Sequence, residues 1–280
     1  MKHSVQLTLV VLSAAVLPLC FPPFGWWPLV LLVFPSLLLA TTNTTPRRAF
    51  YLGMIHGIIG YGATLYWLFN IFAAAAIVLF IVIASFTALF CLLFNYFAKH
   101  TNSAALKLIL AATLWTALEF YRSELFFLRF PWITPGSALG PTYLSPIVGV
   151  YGTSFLVVAA SAGFVRRRTV PLAVFLSVCV LSLGLTRPGM VEPDKEGSIT
   201  VTVVQSEASL LQSYVALTKT VRGESPDLIV WPEYALPYDV RKNLDDFATL
   251  TNLCAEMDAV LVVGTQTAVG HRDRDWHNTA

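Results

Sequence analysis

Long apolar segments dominate the first two thirds of this sequence. Between Gln6 and Thr186 they run with very few ionisable residues, whereas charged residues become frequent from Arg187 onward. Only 12% of the whole chain is charged, against about 25% in an average soluble domain. This uneven distribution predicts a membrane-embedded helical bundle followed by a water-exposed domain.

The apolar runs are long enough to cross a bilayer, which takes roughly 17–25 residues of helix. Prolines interrupt the second run at Pro22, Pro23, Pro28 and Pro35, so this segment is predicted to be kinked or re-entrant. About seven spans are expected, near residues 5–21, 24–40, 50–69, 71–98, 104–121, 144–164 and 170–186.

Positive charges are strongly biased to one side of these spans. With the N-terminus in the cytoplasm, the outside loops between spans hold only Arg122 and Arg129. The inside loops hold the remaining Lys and Arg residues of this region: Lys2, Arg47, Arg48, Lys99, Lys107, Arg166, Arg167 and Arg168. Because cytoplasmic loops are enriched in Lys and Arg, this bias predicts that everything after Thr186 lies outside the cytoplasm.

Several classes of protein and site are disfavoured by the sequence. A cleaved signal peptide is not expected, because Leu19 precedes Cys20 where a small residue is needed and more spans follow at once. The four cysteines show no spacing typical of a disulfide framework or metal site, so we expect small core residues and no metal or cofactor. A net charge of +2 is too small to indicate a nucleic-acid partner.

Two polar groups within the apolar segments need an explanation, because charge inside a bilayer is costly. Glu119 lies within one turn of the outer interface, and Arg122, three residues later, is predicted to pair with it. His56 stands in mid-span beside Gly57 and is interpreted as a helix-packing residue rather than a proton carrier.

The region after the spans alternates between strand and helix patterns. We divide the chain into a transmembrane domain at 1–187, a linker at 188–197 and an α/β domain at 198–280. The predicted elements of the last domain are strand 198–204, helix 210–221, strand 227–231, helix 241–257, strand 259–265 and the start of a strand at 276–280. This alternation favours a parallel or mixed sheet with helical cover.

The second of these helices has apolar residues spaced three apart. Leu244, Phe247, Leu250 and Leu253 are expected to share roughly one face and to pack against the sheet.

The second predicted strand ends in the sequence Leu228-Ile-Val-Trp-Pro-Glu233. Pro232 stops the strand and leaves Glu233 at its carboxyl end, where α/β folds place their functional groups. A carboxylate at the rim of a dry core can serve as a general base. Glu233 is therefore the candidate catalytic residue, and a surface glutamate in a strand-to-helix loop is the alternative interpretation.

Nine short segments match a known family in their order and spacing. They are Phe21–Gly25, Tyr66–Trp67, Leu114–Glu119, Phe130–Trp132, Gly149–Phe155, Val203–Gln205, Leu228–Glu233, Val263–Thr265 and His277–Ala280. Together they resemble the apolipoprotein N-acyltransferases, and the resemblance covers essentially the whole chain. It implies a multi-span α-helical membrane bundle followed by a partial α/β nitrilase-like domain, an αββα sandwich.

The resemblance also implies an activity and a location. The family moves a fatty acyl chain from a phospholipid, through a cysteine thioester, to the N-terminal amine of a diacylglyceryl-cysteine lipoprotein. It uses a Glu-Lys-Cys triad, whose glutamate corresponds to Glu233 in Trp231-Pro232-Glu233. Trp231, Tyr214 and Tyr234 are expected to contact substrate. The implied location is the bacterial inner membrane, with residues after about 187 on the periplasmic side.

The sequence departs from the family in two ways. After Gln205 the family has a Gly-Asn pair and then a tryptophan, whereas Ser206, Glu207 and Tyr214 stand here. The family's catalytic lysine and cysteine are expected beyond Ala280. Cys254 does not replace that cysteine, because it lies on a predicted helix before the third strand.

These departures leave alternatives open. We expect a truncated or split enzyme that forms no acyl-enzyme by itself, possessing only the glutamate of the triad. The alternative from a different class is a non-catalytic membrane protein whose outside half-domain binds a partner chain or lipid. A nitrilase-type enzyme with another acyl acceptor also remains open, and a transporter is weaker because the spans lack paired charges and repeats.

Overall fold

The computed structural model describes residues 2–165, 167–185, 199–268 and 276–279, and it separates into two compact units, Met1–Gly189 and Met190–Ala280. The predicted linker at 188–197 lies outside the described residues.

The first unit is helical. Four segments are long and apolar enough to cross a membrane: His3–Cys20, Ala75–Lys99, Ala104–Leu125 and Ser145–Val165. These segments make the unit a membrane helical bundle. Its α-helices are α1 (His3–Val16), α2 (Val30–Thr42), α3 (Pro46–Thr64), α4 (Phe69–Phe72), α5 (Ala75–Lys99), α6 (Ala104–Phe120), α7 (Pro135–Ala138), α8 (Ser145–Ala162) and α9 (Val170–Leu185).

About seven spans are predicted. Within the described residues, the structure has four full-length apolar helices, one bent pair of helices and two shorter apolar helices. A fifth span in the described part of the chain requires α3 to be joined to Tyr66–Phe72 across a bend of 71°. The helices at Trp27–Thr42 and Val170–Leu185 are shorter than a full span. Trp27–Thr42 starts late because prolines lack the backbone N–H of a helix interior, so regular α-helix begins only after Pro28.

Helices α3 and α5 approach closely because small residues line both surfaces. Gly53 and Gly57, one turn apart on α3, face Ala88 and Ala84 on α5. A Cβ atom added to Gly57 would lie 2.6 Å from Ala84 Cα, so the contact requires glycine. Small residues at a spacing of four are typical of tight helix packing in membranes.

Glu119 is buried, but its hydrogen-bond partners differ from the predicted one. Its carboxylate accepts hydrogen bonds from Trp115 Nε1 at 2.8 Å and from Ser154 Oγ at 2.7 Å. Arg122 donates to the Tyr61 hydroxyl at 3.1 Å instead. Among the described residues, the predicted pairing of Glu119 with Arg122 is therefore wrong as a direct contact, because two neutral donors already satisfy the carboxylate.

His56 is buried and joins three helices. Its Nε2 lies 3.1 Å from Ser13 Oγ in α1, and that hydroxyl donates to the Val33 carbonyl of α2 at 2.6 Å. A hydroxyl that donates to a carbonyl can accept from the imidazole, so the contact is a chain of hydrogen bonds between α3, α1 and α2. This arrangement supports the interpretation of His56 as a helix-packing residue.

The second unit has the predicted βαβ alternation. Its first three strands form a parallel sheet in the order β1-β2-β3, and β4 pairs with β5 in antiparallel fashion. The predicted strand 259–265 is divided between β3 and the first residue of β4. The elements are β1 (Val201–Val203), α10 (Leu211–Thr220), β2 (Leu228–Val230), α11 (Leu244–Met257), β3 (Val260–Val262), β4 (Thr265–Ala268) and β5 (Trp276–Thr279).

Both helices of this unit cover the same face of the parallel sheet. Ile229 on that face packs in one core with Tyr214 of α10 and Leu253 of α11. When parallel strands are added to a sheet in one direction and the connections between them are right-handed, the connecting helices all lie on one face of the sheet. The opposite face, here called the uncovered face, carries Val201, Val203, Leu228, Val230, Val260 and Val262, each partly or largely exposed.

The predicted inner face of α11 is half wrong. Leu250 and Leu253 are buried, whereas Leu244 and Phe247 are 79% and 50% exposed. A step of three residues advances 300° around a helix, so three such steps carry Leu244 to the side opposite Leu253. Met257, four residues after Leu253, is the buried residue that completes the face.

Replacing Gly57 with alanine is expected to destabilise the bundle, because the new methyl group would overlap Ala84. The expected loss is about 1–3 kcal/mol of unfolding free energy. The matched control is Gly62→Ala, whose added Cβ would lie 3.7 Å from Phe80, an ordinary contact. Thermal unfolding of both purified variants in one detergent measures the difference, and equal melting temperatures would contradict the packing described.

Candidate active site

Glu233 lies at the carboxyl edge of the parallel sheet. The Trp231 N–H donates to the Val262 carbonyl at 2.9 Å, which extends the ladder one residue beyond β2. Pro232 has no N–H and ends it. The Glu233 side chain that follows is exposed. The predicted position at the end of the strand is therefore seen, but the carboxylate meets solvent rather than a dry rim.

The backbone around Glu233 is held by a tight turn. The Ala235 N–H donates to the Pro232 carbonyl and the Leu236 N–H to the Gly264 carbonyl, both at 3.1 Å. A Cβ atom on Gly264 would lie 2.2 Å from the Pro232 carbonyl oxygen and 2.8 Å from Glu233 Cα. Gly264 thus allows the end of β3 to come against the turn that carries Glu233.

Tyr234 has a backbone conformation that is rare for a residue with a side chain. Its φ is +63°, in the left-handed region. Its ring is 45% exposed, and its hydroxyl accepts a hydrogen bond from Gln266 Nε2 at 2.7 Å. Strained backbone of this kind is found at functional sites when the surrounding structure enforces it. The Tyr234 ring lies on the exposed side of the turn, next in the chain to the Glu233 carboxylate.

Trp231 and Tyr214 are core residues rather than exposed binding residues. Each is 2% exposed, and their rings stack with centroids 4.8 Å apart. The indole N–H donates to Thr218 Oγ1 at 3.0 Å, and the Tyr214 hydroxyl donates to the Ser206 carbonyl at 3.3 Å. Both rings support the strand from which Glu233 projects, and their contact with a substrate stays a prediction.

The polar segment after the turn was missed in the sequence. The Tyr238 hydroxyl and Asn243 Nδ2 both donate to Asp246 Oδ2 at 2.7 Å. Asn243 Oδ1 also accepts from the Asp246 N–H at 3.3 Å and caps α11. An Asn followed three residues later by Asp before an apolar run is a helix-start signal that could have found this cluster.

An ion pair also lies in this segment. The buried Asp239 carboxylate accepts from Arg241 Nε at 2.9 Å and from a terminal guanidinium nitrogen at 3.0 Å. This guanidinium lowers the pKa of Asp239 below its ordinary value. The chain between the turn at Glu233 and α11 is thereby held at several points.

Cys254 and Lys219 lie at the wrong edge of the sheet for a triad with Glu233. Cys254 is on the last turns of α11 and Lys219 on the last turn of α10, and both helices lead into the amino ends of strands. Lys219 forms a salt bridge of 2.8 Å with Glu256. Within the described residues, no group of three His, Cys, Asp or Glu side chains is placed to hold a metal.

Replacing Gly264 with alanine is expected to loosen the Glu233 turn, because a Cβ atom would collide with the Pro232 carbonyl. The amide of Leu236 should exchange its hydrogen at least about tenfold faster, equivalent to about 1.4 kcal/mol of lost local stability. Hydrogen–deuterium exchange with peptide resolution measures this. Gly223→Ala, where the added atom meets open space, is the control. Unchanged exchange in the Gly264 variant would refute the close approach.

Tyr238 is expected to ionise late. Burial and the neighbouring Asp246 disfavour the phenolate and raise the pKa of Tyr238 from 10.0 to about 12. The folded state therefore holds the proton more tightly, and the resulting stability is present below pH 10 and lost between pH 10 and 12. Subtracting the phenolate absorbance titration of Tyr238→Phe from that of the unmodified chain isolates this step. Asp246→Asn should move it back towards pH 10, and a Tyr238 step already at pH 10 would show the contact to be absent.

Known proteins match this sequence over most of its length. The family model described as the N-terminal domain of apolipoprotein N-acyltransferase matches residues 13–163. An apolipoprotein N-acyltransferase of Geobacter metallireducens is 28% identical over 294 residues, covering 92% of this chain and 56% of the relative. Those of Coxiella burnetii and Pseudomonas paraeruginosa are 29% and 28% identical, covering 82% and 91% of this chain.

The relatives are longer than this chain. It spans about half the length of these curated proteins, 53% of that of Coxiella burnetii and 56% of that of Pseudomonas paraeruginosa. The family model alone matches more than half of the 280 residues, and it falls on the helical bundle described above. The chain belongs to the apolipoprotein N-acyltransferase family.

Proposed function

We propose that this chain takes part in the N-acylation of lipoproteins, with Glu233 as the general base. The acyl donor is a phospholipid and the acceptor is the N-terminal amine of a diacylglyceryl-cysteine lipoprotein. The observation that carries the proposal is the placement of Glu233. It projects from the carboxyl edge of a parallel sheet, on a turn fixed by Gly264 and next to the strained Tyr234.

The chemistry assigned to Glu233 is a proton transfer. Its carboxylate takes the proton of a cysteine thiol, and the thiolate attacks the ester carbonyl of the phospholipid. The ester bond breaks, the lysophospholipid alkoxide leaves with the proton that the glutamate returns, and a thioester forms. The lipoprotein amine then attacks the thioester, an amide bond forms as the C–S bond breaks, and the amine's proton passes through the glutamate to the departing thiolate. A lysine stabilises the oxyanion formed at each attack.

Only the glutamate of this triad is assigned to a residue within these 280. In the proposed arrangement Tyr234 forms part of the exposed wall beside the reacting thiol. Trp231 and Tyr214 act from beneath, as the stacked core that holds the strand in place.

The proposed fold of the catalytic unit is a nitrilase-like αββα sandwich. The uncovered face supports it, because Val203 and Val260 are 68% and 64% exposed on a sheet whose other face is fully packed by two helices. Apolar sheet faces of this kind are covered in native proteins. A second sheet packed face to face would bury it.

The same face supports a second candidate function, the binding of a partner chain. In that case the second layer comes from another polypeptide, and the chain is a non-catalytic membrane protein or one half of a split enzyme. We further place the bundle in a bacterial inner membrane with the α/β unit on the periplasmic side. The bias of Lys and Arg towards one set of loops supports this orientation.

Glu233→Gln is expected to abolish acyl transfer in a chain long enough to contain the family's lysine and cysteine. Loss of a general base lowers the rate by about 10²–10⁴-fold. Strains lacking the acyltransferase would receive the long chain, its Glu233→Gln variant or the 280-residue chain, and lipoprotein N-acylation would be read by mass spectrometry.

The matched control is Glu224→Gln, which removes an exposed carboxylate from the short turn at the amino edge of the sheet. It should leave acylation unchanged. Full acylation by the Glu233→Gln chain at normal protein levels would reject the assigned role. Acylation by the 280-residue chain alone would show that these residues suffice for the reaction.

A further inference from the structure

One end of the helical bundle contains two adjoining cavities with basic walls. The first, about 700 Å³, is lined by His3, Arg47, Arg48, Lys99 and Lys107 together with the segment 42–45. The second, about 850 Å³, contains Arg168. Both are bordered by Thr42 and Asn43, and together they are here called the basic cleft. The volume of each cavity is in the range of small-molecule sites.

The charge of the basic cleft is not balanced by acidic residues of the bundle. The described residues that line it include neither Asp nor Glu. From Met1 to Gly189 the sequence contains only two acids, Glu119 and Glu124. Glu119 lies 15 residues after the start of α6 at Ala104, about 22 Å away along the helix. The cleft therefore has a positive potential that an anion from outside the bundle would neutralise.

The backbone around the cleft also favours an anion. The amino-terminal ends of α3 and α6 contribute Thr45 and Ser103 to its walls, and helix amino termini carry partial positive charge. The carbonyl groups at the end of α2 would repel an anion, but they are occupied. Asn95 Nδ2 donates to the carbonyls of residues 41, 42 and 44, and Lys99 Nζ donates to that of residue 44 at 2.6 Å.

Arg48 is held at the wall of the cleft by a neighbouring side chain. Its Nε is out of contact with solvent and, within the described residues, has no hydrogen-bond acceptor. One of its terminal nitrogens lies 3.2 Å from His3 Nε2, which holds the guanidinium at the wall of the cleft. Because Nε is closed off from water, it is the terminal nitrogens of Arg48 that can meet an anion in the cleft.

We infer that the basic cleft binds the phosphate of an anionic phospholipid headgroup. The ligand accepts charge-assisted hydrogen bonds from Arg47, Arg48 and Lys99 and lies against the amino terminus of α3. Basic pockets between membrane helices take such headgroups because the surrounding leaflet supplies them at high local concentration. The inference is independent of the proposed acyl transfer, which concerns the other unit of the chain.

The test is a lipid titration of the whole purified chain in detergent, followed by native mass spectrometry. The probes are phosphatidylglycerol, phosphatidylcholine and inorganic phosphate. Phosphatidylglycerol should bind more tightly than phosphatidylcholine. Each removed cation should weaken it about fivefold, so Arg48→Gln loses about fivefold and the double variant Arg47→Gln/Arg48→Gln about 25-fold.

The matched control is Lys2→Gln, which removes an exposed charge near the same end of the bundle without touching the cleft. It should change binding by less than about twofold. Thermal unfolding checks that each variant is folded. If the double variant is not, Arg47→Gln at its exposed position replaces it.

Three outcomes would overturn the inference. Equal binding of phosphatidylglycerol and phosphatidylcholine would remove the preference for anionic lipid. An equal loss in Lys2→Gln would show attraction by overall charge alone. Displacement of the lipid by inorganic phosphate at matching concentration would identify a free-anion site instead.

Discussion

The parallel pairing of three strands in chain order constrains everything in the second unit. Because β1, β2 and β3 are neighbours in that order and each connection is right-handed, α10 and α11 must pack on the same face. The carboxyl ends of all three strands meet at one edge, which is where the turn carrying Glu233 and the close approach of Gly264 are found. The same rule leaves one apolar face of the sheet open. The position of the candidate base and the open apolar face thus have a common origin.

The helices of the bundle are held together by van der Waals packing and hydrogen bonds, because a lipid environment offers no hydrophobic gain for packing one apolar helix on another. Small residues let α3 and α5 come close enough for extensive van der Waals contact. Polar side chains form hydrogen bonds between helices. Glu119 of α6 accepts from Ser154 of α8, and His56 of α3 contacts Ser13 of α1. Such bonds fix which helix faces which.

Most of the secondary structure could be predicted from the apolar composition and the periodicity of the sequence. Within the described residues, the apolar runs match the four long helices, the bent pair and the two shorter apolar helices, and alternation predicted the strands and helices of the second unit to within a few residues. Three-residue spacing misled at Leu244, because the true period of 3.6 accumulates over a long helix. Partner choice failed at Glu119 and Arg122, since sequence proximity cannot show that Ser154 comes closer from another helix. The burial of Trp231 against Tyr214 could not be predicted either, because nothing in the sequence shows that the two rings stack.

The charges of the bundle are distributed unevenly along its length. Positive side chains are concentrated at one end and the two carboxylates lie nearer the other. Each elementary charge moved across a membrane changes its energy by about 2.3 kcal/mol per 100 mV. Turning the bundle over would move its five cationic side chains across the membrane potential, and this would cost on the order of 10 kcal/mol at 100 mV. In the proposed orientation, the membrane potential of a living cell would therefore oppose reversal of the bundle.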